Sequence, residues 1–103
     1  MKTLKELQEL IETKKDDNPN QSYTASLFKK GVEEIQKKFG EEAIELIIAA
    51  SKDDKNSIIY ESADVIYHMM VLLSNKEIPF QDILNELERR TKMSGIEEKE
   101  SRS

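Results

Sequence analysis

The chain contains no cysteine, no tryptophan and a single histidine among its 103 residues. Without cysteine it can form no disulfide, no thiolate zinc site and no cysteine nucleophile. This absence is compatible with the cytoplasm, where we expect the protein to be. The length fits one domain at the small end of the usual range of about 100–150 residues.

Long apolar runs and an excess of basic residues are missing as well. No segment approaches the roughly 20 apolar residues that a bilayer-spanning helix needs. Residues 1–6 turn polar at once, without the apolar core of a signal peptide. The 21 Asp and Glu outnumber the 16 Lys and Arg, which gives a net charge of -5. Since binders of nucleic-acid phosphates normally carry a basic excess, we expect neither a nucleic-acid nor a membrane partner.

Helical spacing of apolar residues is the main pattern in the chain, and no segment shows the sustained alternation typical of a β-strand. The predicted helices cover residues 3–15, 22–30, 32–51, 57–74 and 79–90. Ser22 is expected to cap the second helix, and Asn56 or Ser57 the fourth. Pro79 is expected in the first turn of the last helix, where its missing N–H has no intrahelical partner.

Apolar residues concentrate between Ala43 and Leu73, which makes this region the hub of the domain. The helix predicted over 57–74 is apolar on nearly every side and must be buried all round. A chain of about 100 residues has too few helices to cover it alone, so we expect at least a homodimer. The predicted fold is an all-α domain over 1–92, a helical hairpin assembly that completes four-helix-bundle packing by dimerisation, followed by a polar, mobile tail over 93–103.

Two pairs of acidic residues three positions apart lie on the two most apolar helices: Glu42 with Glu45, and Glu61 with Asp64. Such pairs share one helix face, about 60° apart. With 21 acidic residues in the chain, pairs of this kind also arise by chance and then face solvent. On a helical wheel, Glu42 shares its face with Ile35, Phe39, Leu46 and Ala49, and Glu61 shares its face with Ile58, Val65, His68 and Leu72.

These acidic side chains are thus predicted to point into the apolar hub, where a carboxylate without a partner is strongly disfavoured. A divalent cation would relieve both their burial and their mutual repulsion. Because oxygen ligands without cysteine suit Mg²⁺ or Mn²⁺ better than zinc, we expect a Mg²⁺ site in which Mn²⁺ can substitute. A di-iron carboxylate bundle would need Glu-x-x-His motifs on two helices, and His68 is the only histidine.

His68 falls on the face of the second acid pair, where it is either a core histidine satisfied by a carboxylate or a contact to substrate. Lys37 and Lys38 precede the first pair by about one turn, and either serve solvation or hold a phosphate oxygen beside a metal. No serine has the histidine and acid partners of a nucleophile, and no glycine-rich phosphate loop is present. Chemistry in this chain would therefore rest on a metal ion and water.

Short motifs follow one another along nearly the whole chain in a characteristic order. They are Ser22-Tyr23-Thr24, Leu27, Gly31, residues 38–45 (KFGEEAIE), Ala49-Ala50, 61–68 (ESADVIYH), 88–90 and 94–99. Together they resemble the phosphoribosyl-ATP pyrophosphohydrolases, a branch of the MazG-like all-α nucleoside triphosphate pyrophosphohydrolases. Glu-Glu-x-x-Glu followed by Glu-x-x-Asp marks the superfamily, and Ser-Tyr-Thr, Lys-x-Gly-Glu-Glu and Ala-Asp-x-x-Tyr-His mark the histidine-biosynthesis branch. The chain departs from that branch at Phe39 and Val65, and neither departure touches a charged position.

The resemblance implies hydrolysis of phosphoribosyl-ATP to phosphoribosyl-AMP and pyrophosphate with Mg²⁺, at the second step of histidine biosynthesis. The implied metal ligands are Glu42, Glu45, Glu61 and Asp64. The implied substrate contacts are Lys38, Lys37, Tyr23, Thr24 and His68. Glu41 and Glu42 are the implied catalytic residues, with Glu41 either a further ligand or the base for the attacking water.

Two other functions stay open on the sequence. A sibling enzyme with the same metal site would hydrolyse nucleoside or deoxynucleoside triphosphates as a house-cleaning pyrophosphohydrolase, and its substrate preference would distinguish it. A non-catalytic helical dimer that serves as an interaction module would show no effect of Mg²⁺ on its stability.

Overall fold

The computed structural model describes residues 1–92 and 95–102, and all of their regular structure is helical, which confirms the predicted all-α class. The helices are α1 (Leu4–Lys14), α2 (Tyr23–Lys30), α3 (Val32–Ser51), α4 (Lys55–Asn75), α5 (Phe80–Thr91) and α6 (Gly95–Arg102). Among the described helices, none is long and apolar enough to cross a membrane. The tail predicted over 93–103 includes Met93, Ser94 and Ser103, which lie outside the described residues, and its mobility stays a prediction.

Side-chain caps and one glycine set the helix boundaries in the first third of the chain. The Thr3 hydroxyl accepts a hydrogen bond from the Glu6 N–H at 3.1 Å, and the Ser22 hydroxyl accepts one from the Ala25 N–H at 3.1 Å. The prediction that Ser22 caps α2 is therefore confirmed. Gly31 then separates α2 from α3 at φ 98°, a backbone conformation that favours glycine.

The start of α4 differs from the prediction, because neither Asn56 nor Ser57 caps it. The Asp54 carboxylate accepts from the N–H groups of both residues, at 3.1 and 3.4 Å, and the helix begins at Lys55. Aspartate is as good an N-cap as asparagine or serine, and Asp54 comes first in the chain. Pro79 is not in the first turn of α5, as predicted, but at the N-cap position just before it. Its ψ of 144° is extended, and it makes no side-chain cap hydrogen bond.

The core lies at one end of the molecule, where α1, α2, the start of α3, the end of α4 and the start of α5 meet. Its buried members are Leu7, Ile11, Leu27, Ile35, Met70, Val71 and Phe80. The antiparallel α3–α4 hairpin has the largest helix–helix interface and extends away from this core. The hairpin is therefore the frame that carries residues from α3 and α4 side by side.

The far half of the α3–α4 hairpin exposes large apolar side chains in the single chain. They are Ile44, Ile47 and Ile48 on α3 and Ile59 and Tyr60 on α4. The prediction that the fourth helix is buried all round therefore holds in the single chain only for its C-terminal half, where the buried residues of α4 lie. The side of its N-terminal half that carries Ile59 and Tyr60 is exposed within the described chain.

Candidate metal centre

Glu42 lies on the buried face of α3. Ile35, Glu42 and Ala49 are buried and recur every seven positions, or about two helical turns. The predicted grouping of Glu42 with these two apolar residues is thus confirmed. Glu42 is only 8% exposed, a degree of burial at which a carboxylate requires a partner.

Three carboxylates from the two hairpin helices converge at this point. Glu42, Glu45 and Glu61 each place an oxygen within 4.8 Å of the others, and these oxygens could hold a metal ion. Glu42 is buried, Glu61 is half-buried and Glu45 is exposed, so the cluster opens from the hairpin interface towards solvent. The hairpin therefore brings together three of the four residues predicted as metal ligands.

The hydrogen bonding of the cluster fits a cation. Oε2 of Glu42 and Oε2 of Glu61 are both buried without a hydrogen-bond partner among the described residues. Buried polar atoms in native proteins are almost always satisfied, and an orphaned pair calls for an ion or a water. Carboxylate oxygens are the ligands that Mg²⁺ and Mn²⁺ prefer. The three carboxylates thus have the donor set and the unmet bonding capacity of a divalent-cation site.

The electrostatics of the cluster lead to the same conclusion. Burial raises the pKa of the Glu42 carboxyl, and the negative charges of Glu45 and Asp64 raise it further. Burial also raises the pKa of Glu61, followed by its contact with the Glu45 carboxyl and by repulsion from nearby acids. Cationic groups beside Glu42 oppose these effects only in part. Without a metal, the site is therefore short of positive charge.

Asp64 lies beside the cluster and contributes to its field. It is outside the group of three whose oxygens converge, although its charge raises the pKa of Glu42 and Glu61. Its backbone carbonyl accepts a hydrogen bond from Nδ1 of His68 at 2.7 Å. The predicted role of Asp64 as a ligand stays a prediction.

Lys38 is the lysine that approaches the acids. Its Nζ lies 3.3 Å from Oε2 of Glu41 and 3.9 Å from Oε1 of Glu42. The hydrogen bond to Glu41 raises the pKa of Lys38, which keeps the side chain protonated at neutral pH. Lys37 is exposed, and among the described residues no ion pair joins it to the cluster. The structure therefore distinguishes the two lysines that the sequence offered together.

Tyr23 and His68 form a hydrogen-bonded pair next to the carboxylates. The Tyr23 hydroxyl lies 2.9 Å from Nε2 of His68, and the two rings meet edge to face. Because the Asp64 carbonyl can only accept, Nδ1 of His68 is the donor in that hydrogen bond. Burial raises the pKa of the Tyr23 phenol, which keeps its hydroxyl protonated at neutral pH. Tyr23 is 52% exposed, whereas His68 is buried, so only the tyrosine of this pair borders solvent.

Thr24 is tied to α4 by Tyr67, a residue of the 61–68 motif that was not among the predicted substrate contacts. The hydroxyls of Thr24 and Tyr67 form a short hydrogen bond, and the Tyr67 ring packs edge to face on His68. Two successive residues of α2 are thus hydrogen-bonded to two successive residues of α4.

Glu34 on α3 was also not predicted as a site residue, although its charge contributes to the raised pKa of Tyr23. Its place four positions before Lys38, on the same helix face, was the available signal.

A cleft of about 500 Å³ lies elsewhere, between α1 and the connection from α4 to α5. Gln8 spans it with an amide that donates to the Ile78 carbonyl at 2.9 Å and accepts from the Phe80 N–H at 2.8 Å. Both ends of that amide are therefore satisfied within the chain. The unpartnered carboxylate oxygens of α3 and α4, among the described residues, make the hairpin the candidate site instead.

Comparison with known proteins shows the family of the chain. A family model described as phosphoribosyl-ATP pyrophosphohydrolase matches residues 4–91. A protein of Rhodobacter capsulatus named phosphoribosyl-ATP pyrophosphatase is 46% identical over 102 residues, which are 99% of each chain. Relatives of the same name from Paracoccus denitrificans and Sinorhizobium medicae are 48% and 45% identical, over 96% and 97% of this chain and 92% and 94% of theirs. The chain belongs to the phosphoribosyl-ATP pyrophosphohydrolase family.

Proposed function

We propose that the protein hydrolyses phosphoribosyl-ATP to phosphoribosyl-AMP and pyrophosphate, in the cytoplasm, at the second step of histidine biosynthesis. The family match and the relatives named phosphoribosyl-ATP pyrophosphatase support this reaction. The observation that carries it in the structure is the pair of orphaned buried oxygens on Glu42 and Glu61, beside Glu45. A hydrolase of a phosphoric anhydride needs such a site, because its substrate brings several negative charges that must be neutralised.

The metal we propose is Mg²⁺, held by Glu42, Glu45 and Glu61, with Asp64 as the fourth ligand. Mg²⁺ binds through a few carboxylates together with substrate phosphates and waters, and the half-open cluster suits this mode. When bound, Mg²⁺ would supply neutralisation of the phosphates and an oriented water. The fourth position follows from the family motif and from the closeness of Asp64 to the cluster.

The chain's own residues prepare the substrate side. Lys38 presents a protonated amine beside the cluster, in reach of a phosphate oxygen. The exposed Tyr23, hydrogen-bonded to the buried His68, lies near Lys38 and Glu42, and Thr24 holds α2 against α4. Glu41, bound to Lys38 and half-exposed, is the residue we propose either as a further ligand or as the base for the attacking water.

We propose a homodimer through the apolar side of the α3–α4 hairpin. Ile47 and Tyr60 are 65% and 68% exposed in the single chain, and further isoleucines surround them. A contiguous apolar patch on two packed helices typically marks a protein interface. Joining two hairpins would cover the N-terminal half of α4 and complete a four-helix bundle.

A pyrophosphate-release assay across a nucleotide panel tests the proposed reaction. We expect Mg²⁺-dependent turnover of phosphoribosyl-ATP that exceeds turnover of each common nucleoside and deoxynucleoside triphosphate. Preference for a deoxynucleoside triphosphate would contradict the proposal in favour of a house-cleaning pyrophosphohydrolase. Inactivity towards the whole panel would favour an interaction module.

A further inference from the structure

Lys38 occupies an unusual position relative to the carboxylates. It is half-buried on α3, and its Nζ lies 3.3 Å from Oε2 of Glu41 and 3.9 Å from Oε1 of Glu42. Oε2 of the same Glu42 carboxylate is buried and has no hydrogen-bond partner within residues 1–92 and 95–102. Oε1 of Glu42 therefore lies beside the ammonium group of Lys38, while Oε2 can still accept a hydrogen bond or bind a metal ion.

We propose that Lys38 is a resident counter-ion, which releases Glu42 when a divalent cation binds and then engages the polyphosphate of the substrate. This inference rests on the proposed function. Without metal, the ammonium group neutralises part of the charge on Glu41 and Glu42. With metal bound, two cations compete for one carboxylate and repel each other. Lys38 can then move from Glu42 to the polyphosphate of the substrate.

The geometry makes this exchange easy. The contact to Glu42, at 3.9 Å, is longer than the contact to Glu41 at 3.3 Å, so it is the first to be lost. Ion pairs between helix residues three or four positions apart stabilise a helix only weakly. A lysine also has a flexible stem and a compact charge, whereas an arginine could hold a carboxylate with two hydrogen bonds. Glu41 keeps Lys38 near the site while its contact to Glu42 is broken.

The exchange predicts opposite effects of one substitution on two ligands. In Lys38→Gln, metal no longer competes with the ammonium, so Mn²⁺ binds about three- to tenfold more tightly to the substrate-free protein. The same variant has lost its phosphate contact, so KM for phosphoribosyl-ATP at saturating Mg²⁺ rises about tenfold. A residue that merely organised the carboxylates would weaken both ligands on removal.

Isothermal titration with Mn²⁺ tests the first effect, on metal-free full-length protein at pH 7 and constant ionic strength. Lys37→Gln is the matched control, because it removes the same charge one position away from a lysine without contact to the cluster. We expect its Mn²⁺ affinity to stay within about twofold of the wild-type value. Lys38→Arg keeps the charge, and we expect it to show no gain in Mn²⁺ affinity.

Two results would overturn the inference alone. One is Lys38→Gln binding Mn²⁺ no more tightly than Lys37→Gln, and the other is tighter Mn²⁺ binding without a rise in KM. In both cases the wild-type protein would still bind Mn²⁺ and turn over phosphoribosyl-ATP. If wild-type protein and Glu42→Gln titrate alike with Mn²⁺, the proposed metal site itself is wrong, and the inference falls with it.

Discussion

Glu42 on α3 and Glu61 on α4 face each other across the antiparallel hairpin, and each leaves a buried carboxylate oxygen with no hydrogen-bond partner in the part of the chain that the structure describes. Burial raises the pKa of both groups. Two like charges held together away from water oppose folding unless something neutralises them. These two carboxylates therefore lower the stability of the metal-free hairpin, and a bound cation would restore it.

This cost predicts that Glu42→Gln stabilises the metal-free protein. Loss of a buried charge with an unmet hydrogen bond should raise the free energy of unfolding by about 1 kcal/mol, or about 4–8 °C in the thermal midpoint of a chain of this size. Added Mg²⁺ should raise the midpoint of the wild-type protein and leave that of Glu42→Gln unchanged. Thermal melts with and without Mg²⁺ measure both effects. Glu9→Gln, an exposed change on α1, is the charge-matched control. If metal-free Glu42→Gln melts at a lower temperature than the metal-free wild-type protein, the buried Glu42 carboxylate does not destabilise the fold.

The raised pKa values also predict a pH dependence of stability. Glu42 and Glu61 bind protons more tightly in the folded than in the unfolded chain, so they oppose folding most when both states are ionised. The thermal midpoint of the metal-free protein should therefore rise as the pH falls from 7 towards their ordinary pKa. Glu86, whose pKa the arginines Arg89 and Arg90 lower to about 2, has the opposite effect, but only at more acidic pH.

Melting curves between pH 7 and pH 5 measure this dependence, and the double variant Glu42→Gln/Glu61→Gln is its control. Removing both groups should flatten the curve. A wild-type midpoint that falls steadily as the pH is lowered from 7 to 5 would contradict the raised pKa values of Glu42 and Glu61. Saturating Mg²⁺ should reverse the slope, because protons then compete with the metal for the same oxygens.

Besides the oxygens of Glu42 and Glu61, the side-chain hydroxyl of Ser74 is a buried polar group of this kind, and it lies in the core, away from the site. Ser74 is buried, and its hydroxyl has no partner among the described residues, while its carbonyl accepts from Lys15 Nζ at 3.1 Å. Ser74→Ala removes the hydroxyl and keeps the carbonyl contact, so we expect about 1 kcal/mol of stabilisation. Ser51→Ala provides the matched control, since that helical serine donates to the Ile47 carbonyl at 3.1 Å. Chemical denaturation of the two variants separates the loss of an orphaned hydroxyl from the gain in helix propensity. Equal effects in both would refute the prediction.

The exposed isoleucines predict how the dimer responds to charge. Ile47→Glu places a carboxylate at the centre of the proposed interface, which should raise the dimer dissociation constant about 100-fold or more. Leu10→Glu, at a 48% exposed position on α1, should leave the dimer intact. Analytical ultracentrifugation over a range of concentrations measures both constants. A monomeric wild-type protein, or equal dissociation constants for the two variants, would rule out this interface.

Local chemistry made most of the fold predictable. The helical wheel that groups Glu42 with Ile35 and Ala49 predicts the buried face of α3, and Ser22 and Gly31 mark the limits of α2. The cap of α4 was mistaken because several residues in that connection are good N-caps, and only the fold decides which one lies at the boundary. Burial of α4 could not be judged from its own composition, because it depends on what packs against each half.

The candidate site was predictable as a set of residues and less so as a set of contacts. Helical periodicity places carboxylates on a face, but the convergence of Glu61 with Glu42 needs the register of two helices. The choice of Lys38 over Lys37 and the partnership of Thr24 with Tyr67 depend on that register and on the side-chain conformations. Neither follows from spacing along one helix.

Under the proposed function, the carboxylates of α3 and α4 hold the Mg²⁺ with which this chain hydrolyses phosphoribosyl-ATP. The most direct measurement is pyrophosphate release from phosphoribosyl-ATP, with and without Mg²⁺, for the wild-type protein, Glu61→Gln and the control Glu9→Gln, each shown to be helical by circular dichroism. We expect turnover by the wild-type protein and Glu9→Gln only with Mg²⁺, and at least about a 100-fold loss in Glu61→Gln. Turnover without a divalent cation, or near-normal turnover by Glu61→Gln, would contradict the claim.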